Sequence, residues 1–326
     1  MGCGGSKEEG GDAPAAPKTE SASSNAAVND GPLSDDELKQ RLMGSEAAET
    51  FSLGSTGFSL RYAALSQRGY YPDDLFKANQ DRFLVKPNMH GRSDQIFLGV
   101  FDGHGPEGDL CSNFVRTHVI SELDKQSKRE RFRGKFNDAY LETYRAIDAH
   151  MHDQDDFSDA YSGTTAISAV FKGTEMHIAN IGDSRAIIGE RKGPRVVAYH
   201  LSVDQTPYRR DERDRVKASG ALIMTNAMVN GEVEYEDGWE DNMMSEELDG
   251  SADPPRIYAP EMWGPGCAFT RSIGDAMAAP LGVFAEAELL HKQLREADQF
   301  LALASDGVWY VMAPSCSLPL FPILPA

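Results

Sequence analysis

Five aspartates stand where short apolar runs give out. Asp81 lies in NQDRFLV, Asp102 in FLGVFDGHG, Asp183 in IANIGDSRA, Asp275 in RSIGDA and Asp306 in LALASDG. Three of the five follow apolar runs and sit next to glycine. Such a run reads as a buried strand, and the residue leaving it sits on a rigid mount. A neighbouring glycine lets the backbone turn and approach an ion closely. One Asp-Gly after a strand is an ordinary turn. Several carboxylates gathered from distant segments repel one another, so a fold that buries them together needs bound cations. Oxygen donors without clustered Cys or His favour Mg²⁺ or Mn²⁺ over zinc.

The segments between these aspartates read as mixed structure. FSLRYAAL, DQIFLGVFDG, GTTAISAVF, EMHIANIGDSRAIIGE and RVVAYHL have the short apolar or alternating runs of strands. The spacers KGT after Phe171 and ERKG before Pro194 predict hairpins, hence antiparallel pairing. Leu110, Phe114, Val115, Val119 and Leu123 recur at helical spacing, as do Phe132, Phe136, Tyr140, Tyr144, Ile147 and Met151. A third helix is expected from about Pro207 to Ser219, stopped by Gly220. Residues 7 to about 32 are Gly, Ala, Pro, Ser and acid and read as a disordered tether. A short helix is expected around LSDDELKQRLMG, capped by Ser34 with Glu37 following, and the folded domain is expected to begin near Phe51. Residues 230–253 are acidic and aperiodic, as in a surface insertion.

Composition narrows the partners. The chain has 326 residues, with 51 Asp+Glu against 32 Lys+Arg for a net charge of −19, which disfavours nucleic acid. The four cysteines, Cys3, Cys111, Cys267 and Cys316, form neither CxxC pairs nor zinc spacing. There is no secretory leader and no long apolar run to span a bilayer. MGCGGS fits an N-myristoylation signal, with Gly2 as acceptor and Ser6 at the favoured position. Cys3 offers a palmitoylation site, the second anchor that stable attachment needs. The expectation is a protein held on the cytoplasmic side of a membrane by lipid, and otherwise cytoplasmic.

The quoted stretches resemble the PPM-type (type 2C) metal-dependent Ser/Thr protein phosphatases. FLGVFDGHGPEG is the most specific match, and SGTTAISAV, ANIGDSRAIIGE, LSVDQTPYRRDERDRVKASGA, AFTRSIGD and FLALASDGVWYVM follow in the family's order. The resemblance covers roughly residues 55 to 312, and SQRGYYPDDLFKANQDRF is similar to plant and protist members. It implies an α+β fold: a two-sheet antiparallel β-sandwich flanked by helices, in α-β-β-α layers. The chain then divides into a tether over 1–52, a phosphatase domain over 53–312 with its insertion at 230–253, and a tail outside the family pattern over 313–326.

The resemblance also implies roles. Asp102 would bridge two metal ions, with the Gly103 carbonyl beside it; Asp81 would hold metal or its water, and Asp306 the other ion. Asp183 matches a residue tied to a weaker third ion in some members. The cofactor is Mg²⁺ or Mn²⁺, and an activated hydroxide attacks phosphoserine or phosphothreonine of a protein substrate. His104 is the candidate general acid, with a hydrogen-bonding support role as its alternative. Arg68 is the candidate phosphate ligand, with Lys77 as the alternative. Asp275, Thr164 and Thr165 read as structural. His118, His150, His152, His177 and His200 read as structural or surface residues. A monomer is expected.

Two departures stand out. Gln80 occupies a position where many members have Glu, a weaker ligand choice. The family also takes a further ligand from an Asp-Asn motif well beyond ASDG, whereas 20 residues follow Asp306 here, none of them acidic. Asp241-Asn242-Met243 is no substitute, since it precedes SIGD and no strand pattern follows. The domain is therefore expected to be incomplete at its C-terminus, and a non-catalytic binding protein is the alternative to a phosphatase. No GxxxxGK[ST], kinase motif set or GxSxG is present.

Overall fold

The computed structural model describes residues 42–69, 77–239, 253–260 and 264–312. The expectations for Gly2, Cys3 and the rest of the tether to residue 41, for Asp241-Asn242-Met243 and for the tail from 313 lie outside the described residues. The first strands are β1 (Leu42–Ser52), β2 (Ser59–Gln67), β3 (Arg82–Pro87), β4 (Gln95–Phe101), β5 (Gly103–His104), β6 (Gly163–Thr164), β7 (Ala166–Lys172) and β8 (Glu175–Ile181). They are followed by β9 (Arg185–Lys192), β10 (Arg195–His200), β11 (Leu222–Met224), β12 (Arg256–Tyr258), β13 (Pro265–Cys267), β14 (Ile273–Gly274), β15 (Glu288–Gln293) and β16 (Asp298–Ala304). The helices are α1 (Gly108–Ser127), α2 (Phe136–His152), α3 (Arg210–Ala218), α4 (Asn226–Val229) and α5 (Asp306–Trp309).

Alternating side chains build two layers of core. The main sheet runs β15-β8-β7-β4-β3, antiparallel throughout. Along β4, Phe97 and Phe101 join Phe114, Val115, Val119, Leu123, Tyr140 and Tyr144 under α1 and α2. Ile96 points the other way, into a cluster with Ile167, Phe171, Ile178 and Ile188. That second cluster lies between the main sheet and the three-stranded sheet β10-β9-β16, which makes the sandwich. The buried hydroxyls of Tyr140 and Tyr144 meet the Ser168 Oγ at 2.6 and 2.5 Å, so both large rings enter the core without an orphaned polar atom. Among the described residues, helices longer than nine residues occur only on this one side of the sandwich.

Both predicted hairpins form. Lys172 pairs with Glu175 and Lys192 with Arg195, across two-residue turns opened by Gly173 and Gly193, each at a φ of 61°. Other expectations shift. The folded part begins at β1, which pairs with β2 from Leu42, ahead of the boundary expected near Phe51. Leu110 is exposed rather than buried, and Phe132 ends a short 3₁₀ turn before α2. The third helix starts at Arg210, because Arg209 is still extended. Residues 231–239 have no regular structure, as expected for the insertion, and 240–252 lie outside the described residues.

The topology collects strand ends. Arg82 pairs with Phe101, so β3 begins where β4 finishes. β7 runs antiparallel to both β4 and β8, so β4 and β8 end on the same side. Ala304 pairs with Arg185, so β16 ends where β9 begins, just past Asp183. Asp81, Asp102, Asp183 and Asp306 therefore leave the sandwich at one end.

Two polar clamps fix the flank of that end. Glu212 of α3 is 2% exposed and meets Arg271 and Arg215 at 2.7 Å each, while Thr270 Oγ1 donates to it at 2.6 Å. Burial pushes its carboxyl up, but Arg271 and Arg215 outweigh that and hold it below the usual carboxylate range. At the end of α2, His152 lies between Asp148 and Asp159, and Asp148 accepts a 2.8 Å hydrogen bond from the Gly274 N–H. The hydrogen bond to Asp148 leads in raising His152 to about 9, against the opposing effect of burial.

Removing the charge of Glu212 leaves buried guanidinium groups uncompensated. Glu212→Gln should lose about 3 kcal/mol in urea unfolding. The raised pKa of His152 gives a stabilisation fully present below its unfolded value of 6.5 and lost as pH rises through about 9. The melting-temperature advantage of wild type over His152→Gln should accordingly be largest below pH 6.5 and shrink through about pH 9.

Candidate active site

The centre of the site is Asp102, half-buried at the end of β4. Its backbone is held from three directions: its N–H donates to Thr165 Oγ1 at 3.2 Å, and its carbonyl accepts from Thr164 Oγ1 at 3.0 Å and from the Thr165 N–H at 2.8 Å. Thr164 and Thr165 thus pack beside the site, as their sequence context suggested. Thr165 Oγ1 also meets Ser184 Oγ at 2.7 Å, which ties the Asp102 turn to the turn carrying Asp183. Gly103 is required by close approach. A Cβ there would stand 2.0 Å from the Gly108 carbonyl oxygen and 2.8 Å from that of Gln80.

Asp81 precedes β3 and is held by its neighbours. Its N–H donates to Asn79 Oδ1 at 2.8 Å, and its Oδ2 accepts from Ser305 Oγ at 3.0 Å. The Ser305 bond reaches across to the residue just before Asp306, so both sheets are joined at the site. Burial raises the pKa of Asp81, and the Asp306 charge adds to this; Asp102, Ser305 and Arg82 oppose it. Asp102 is pushed well above its ordinary value, by burial first and then by the charges of Asp81, Asp306 and Asp183. The Asp81 and Asp102 carboxyls come within hydrogen-bonding reach of each other, which requires a shared proton or a cation. Asp102 thus feels the charges of the three other aspartates expected to hold metal. Carboxylate oxygens such as those of half-buried Asp81 and Asp102 suit a hard divalent ion.

His104 sits one strand step further on, in β5. Its Nε2 lies 2.6 Å from Asp275 Oδ2, and its ring packs on Phe269 at 4.3 Å. The Asp275 side chain is 3% exposed, and Asp275 adopts a φ of 52°. Its N–H donates to the Ser162 carbonyl at 2.9 Å. The sequence marked Asp275 as structural; the structure makes it the group that orients His104. Three small strands do this, since β5, β6 and β14 pair His104 with Gly163 and Gly163 with Gly274.

Other candidates fall differently. Arg68 follows the end of β2, half-buried, two residues beyond Ser66. The Ser66 hydroxyl donates to the Asp81 carbonyl at 3.4 Å. Lys77 is exposed. Arg82 was not foreseen: its NH1 donates to the carbonyls of Asn79 and Asp81 at 2.9 Å, and its charge favours ionised Asp81. Gln80 is a fastening rather than a ligand in this structure. Its Nε2 donates to the Gly105 carbonyl at 2.7 Å, and its own carbonyl accepts from Ser112 Oγ at 2.6 Å. No motif signals the Ser305 or Gln80 contacts, because each joins segments far apart in sequence.

The comparisons with known proteins agree with one another. The family model described as "Protein phosphatase 2C" matches residues 73–319. The curated "Probable protein phosphatase 2C 35" of Arabidopsis thaliana is 40% identical over 255 residues, covering 78% of this chain and 71% of the relative. "Probable protein phosphatase 2C 64" of Oryza sativa subsp. japonica is 31% identical over 240 residues, and there the match spans 72% of this chain and 51% of the relative. Among solved structures, a serine-threonine phosphatase 2C from Toxoplasma gondii superposes with a TM-score of 0.56 at 21% identity, over 73% of this chain and 76% of its own. A C. elegans sex determining protein follows at a TM-score of 0.54 and 21% identity, over 72% of this chain and 50% of its own. These likenesses show the same fold, and the matched family model spans most of the chain: it belongs to the protein phosphatase 2C family.

Proposed function

We propose that the chain hydrolyses phosphoserine and phosphothreonine in proteins with the help of Mg²⁺ or Mn²⁺. The observation that carries this reading is the convergence of Asp81, Asp102, Asp183 and Asp306, with Asp81 and Asp102 both destabilised as bare carboxylates. Asp102 and Asp81 would be the central ligands, Asp306 would serve the second ion, and Asp183 would serve a third where one binds. The Gly103 carbonyl adds a neutral donor. Bound cations would supply positive charge to the phosphoryl oxygens and acidify an attacking water.

The chain's own residues position and protonate. Thr164 and Thr165 hold the Asp102 turn rigid, so its carboxylate needs no rearrangement when substrate arrives. Asp275 holds His104 by Nε2, which leaves Nδ1 to protonate the departing seryl or threonyl oxygen. Arg68, half-buried two residues beyond Ser66, pairs with the substrate phosphate. The acidic chain leaves the cations to attract the phosphoprotein.

No helix among the described residues is long and apolar enough to cross a membrane. With Met1 as the start of the translated chain, Gly2 would carry a myristoyl group and Cys3 a palmitoyl group. The residues from 2 to about 41 then serve as a tether to the cytoplasmic face of a membrane.

Phosphate release from a phosphothreonine peptide tests the main reading. Wild type should require Mn²⁺ or Mg²⁺ and lose activity in EDTA. Asp102→Ala should lose at least about 100-fold. His104→Gln should lose about 100-fold, with a smaller loss for an aryl phosphate whose leaving group needs no proton. Equal rates with and without metal would sink the proposal. Lipidation predicts membrane recovery of wild type in a myristoylating host and soluble Gly2→Ala; recovery of both in the soluble fraction would rule it out.

A further inference from the structure

A second donor cluster lies on the same main sheet, away from the aspartates. Glu175, His177 and His291 place ligand atoms within 4.8 Å of one another. The register explains why. His177 of β8 and His291 of β15 are directly opposed, and Glu175 precedes His177 by two residues on the same face. The rings stack at 4.7 Å. Four strand positions at about 3.4 Å each put about 14 Å between His177 and Ile181, where β8 ends before the turn carrying Asp183.

The state of His177 points to a ligand. It is 7% exposed, and its Nδ1 lies 2.8 Å from Asn137 Oδ1 of α2. An amide oxygen only accepts, so Nδ1 carries the proton and Nε2 keeps a lone pair. That Nε2 is buried without a hydrogen-bond partner, and Glu175 Oε2 stands 3.8 Å away. A histidine held by one nitrogen on an amide oxygen, with the other nitrogen aimed at acidic and imidazole neighbours, is arranged as a metal ligand is. Burial, with His291 and Lys172, lowers His177 to about 4, so it is neutral near pH 7, the form that binds a cation. Glu175 and His291 are exposed, which leaves a path for entry and room for water.

A contrasting cluster shows what a satisfied set looks like. Asp211, Glu212 and Glu288 also lie close together, but Arg209, Arg215 and Arg271 already pair with them. No cation is called for there.

We propose that Glu175, His177 and His291 form a binding site for a divalent transition-metal ion of the zinc type, separate from the carboxylate cluster. Two imidazoles and one carboxylate suit Zn²⁺ far better than Mg²⁺. The bound ion would clip the edge strand β15 to β8, a link between residues far apart in sequence. The chemistry of the aspartates neither requires nor excludes it.

Zinc titration calorimetry on the full chain, with excess Mg²⁺ to occupy the carboxylate cluster, tests the site. Wild type should bind Zn²⁺ at least about 10-fold more tightly than His291→Ala or Glu175→Gln, both changes at exposed positions. Asn137→Ala, which keeps all three ligands, should weaken binding about 10- to 100-fold. Zn²⁺ should raise the melting temperature of wild type and not of His291→Ala. Identical isotherms for wild type and both exposed-ligand variants would overturn the proposal, as would a wild type that takes up no Zn²⁺ in excess Mg²⁺.

Discussion

Mutual repulsion of carboxylates at one end of the sandwich is the constraint that organises this molecule. Asp102 feels Asp81, Asp306 and Asp183 at once, and burial compounds the effect. A fold tolerates that only if the surrounding backbone is over-determined. Here the Asp102 peptide groups are bonded to Thr164 and Thr165, Asp81 is bonded to Asn79 and Ser305, and Gly103 fits under Gly108 with no room for a side chain. The strain is electrostatic and local, and the scaffold that bears it is apolar and extensive. On the proposed reading, bound cations would convert that repulsion into ligation.

Antiparallel pairing does the gathering. Strands β4, β8 and β16 deliver their last residues to one end, and β3 starts there. A second tier orients the histidine, where short strands no longer than three residues align His104 with Asp275. Its outer support runs through Gly274 to Asp148 and His152 on α2. The helices therefore contribute positioning as well as core, since α1 and α2 cover Phe97 and Phe101 while the end of α2 anchors the loop behind the site.

Much of this was legible in the sequence. Apolar runs ending in Asp located the strand ends, and the KGT and ERKG spacers gave the hairpins. Motif order gave the family. Less legible were contacts whose partners are remote. Gln80 read as a poor ligand, yet its amide fastens Gly105; Asp275 read as structural, yet it aims His104. Strand β1 was missed because MGSEAAET has no alternation and Thr50 as its one strand-forming residue, and pairing with β2 explains it. His177 and His291 gave no signal because they are opposed only through the register of β8 and β15. Helix α3 starts at Arg210, where Arg209 is still extended and meets Glu288 at 2.6 Å, an interaction no local pattern encodes.

The Gln80 amide separates two properties that a carboxylate there would merge. A glutamate could join the ion-binding set, but it has no N–H to give the Gly105 carbonyl. With glutamine the loop after β5 is latched by a neutral group that is indifferent to ion occupancy. The loop is thus held by a hydrogen bond that involves none of the aspartates. In this chain the Gln80 latch would hold the loop that follows the histidine whether or not the carboxylates are balanced by cations.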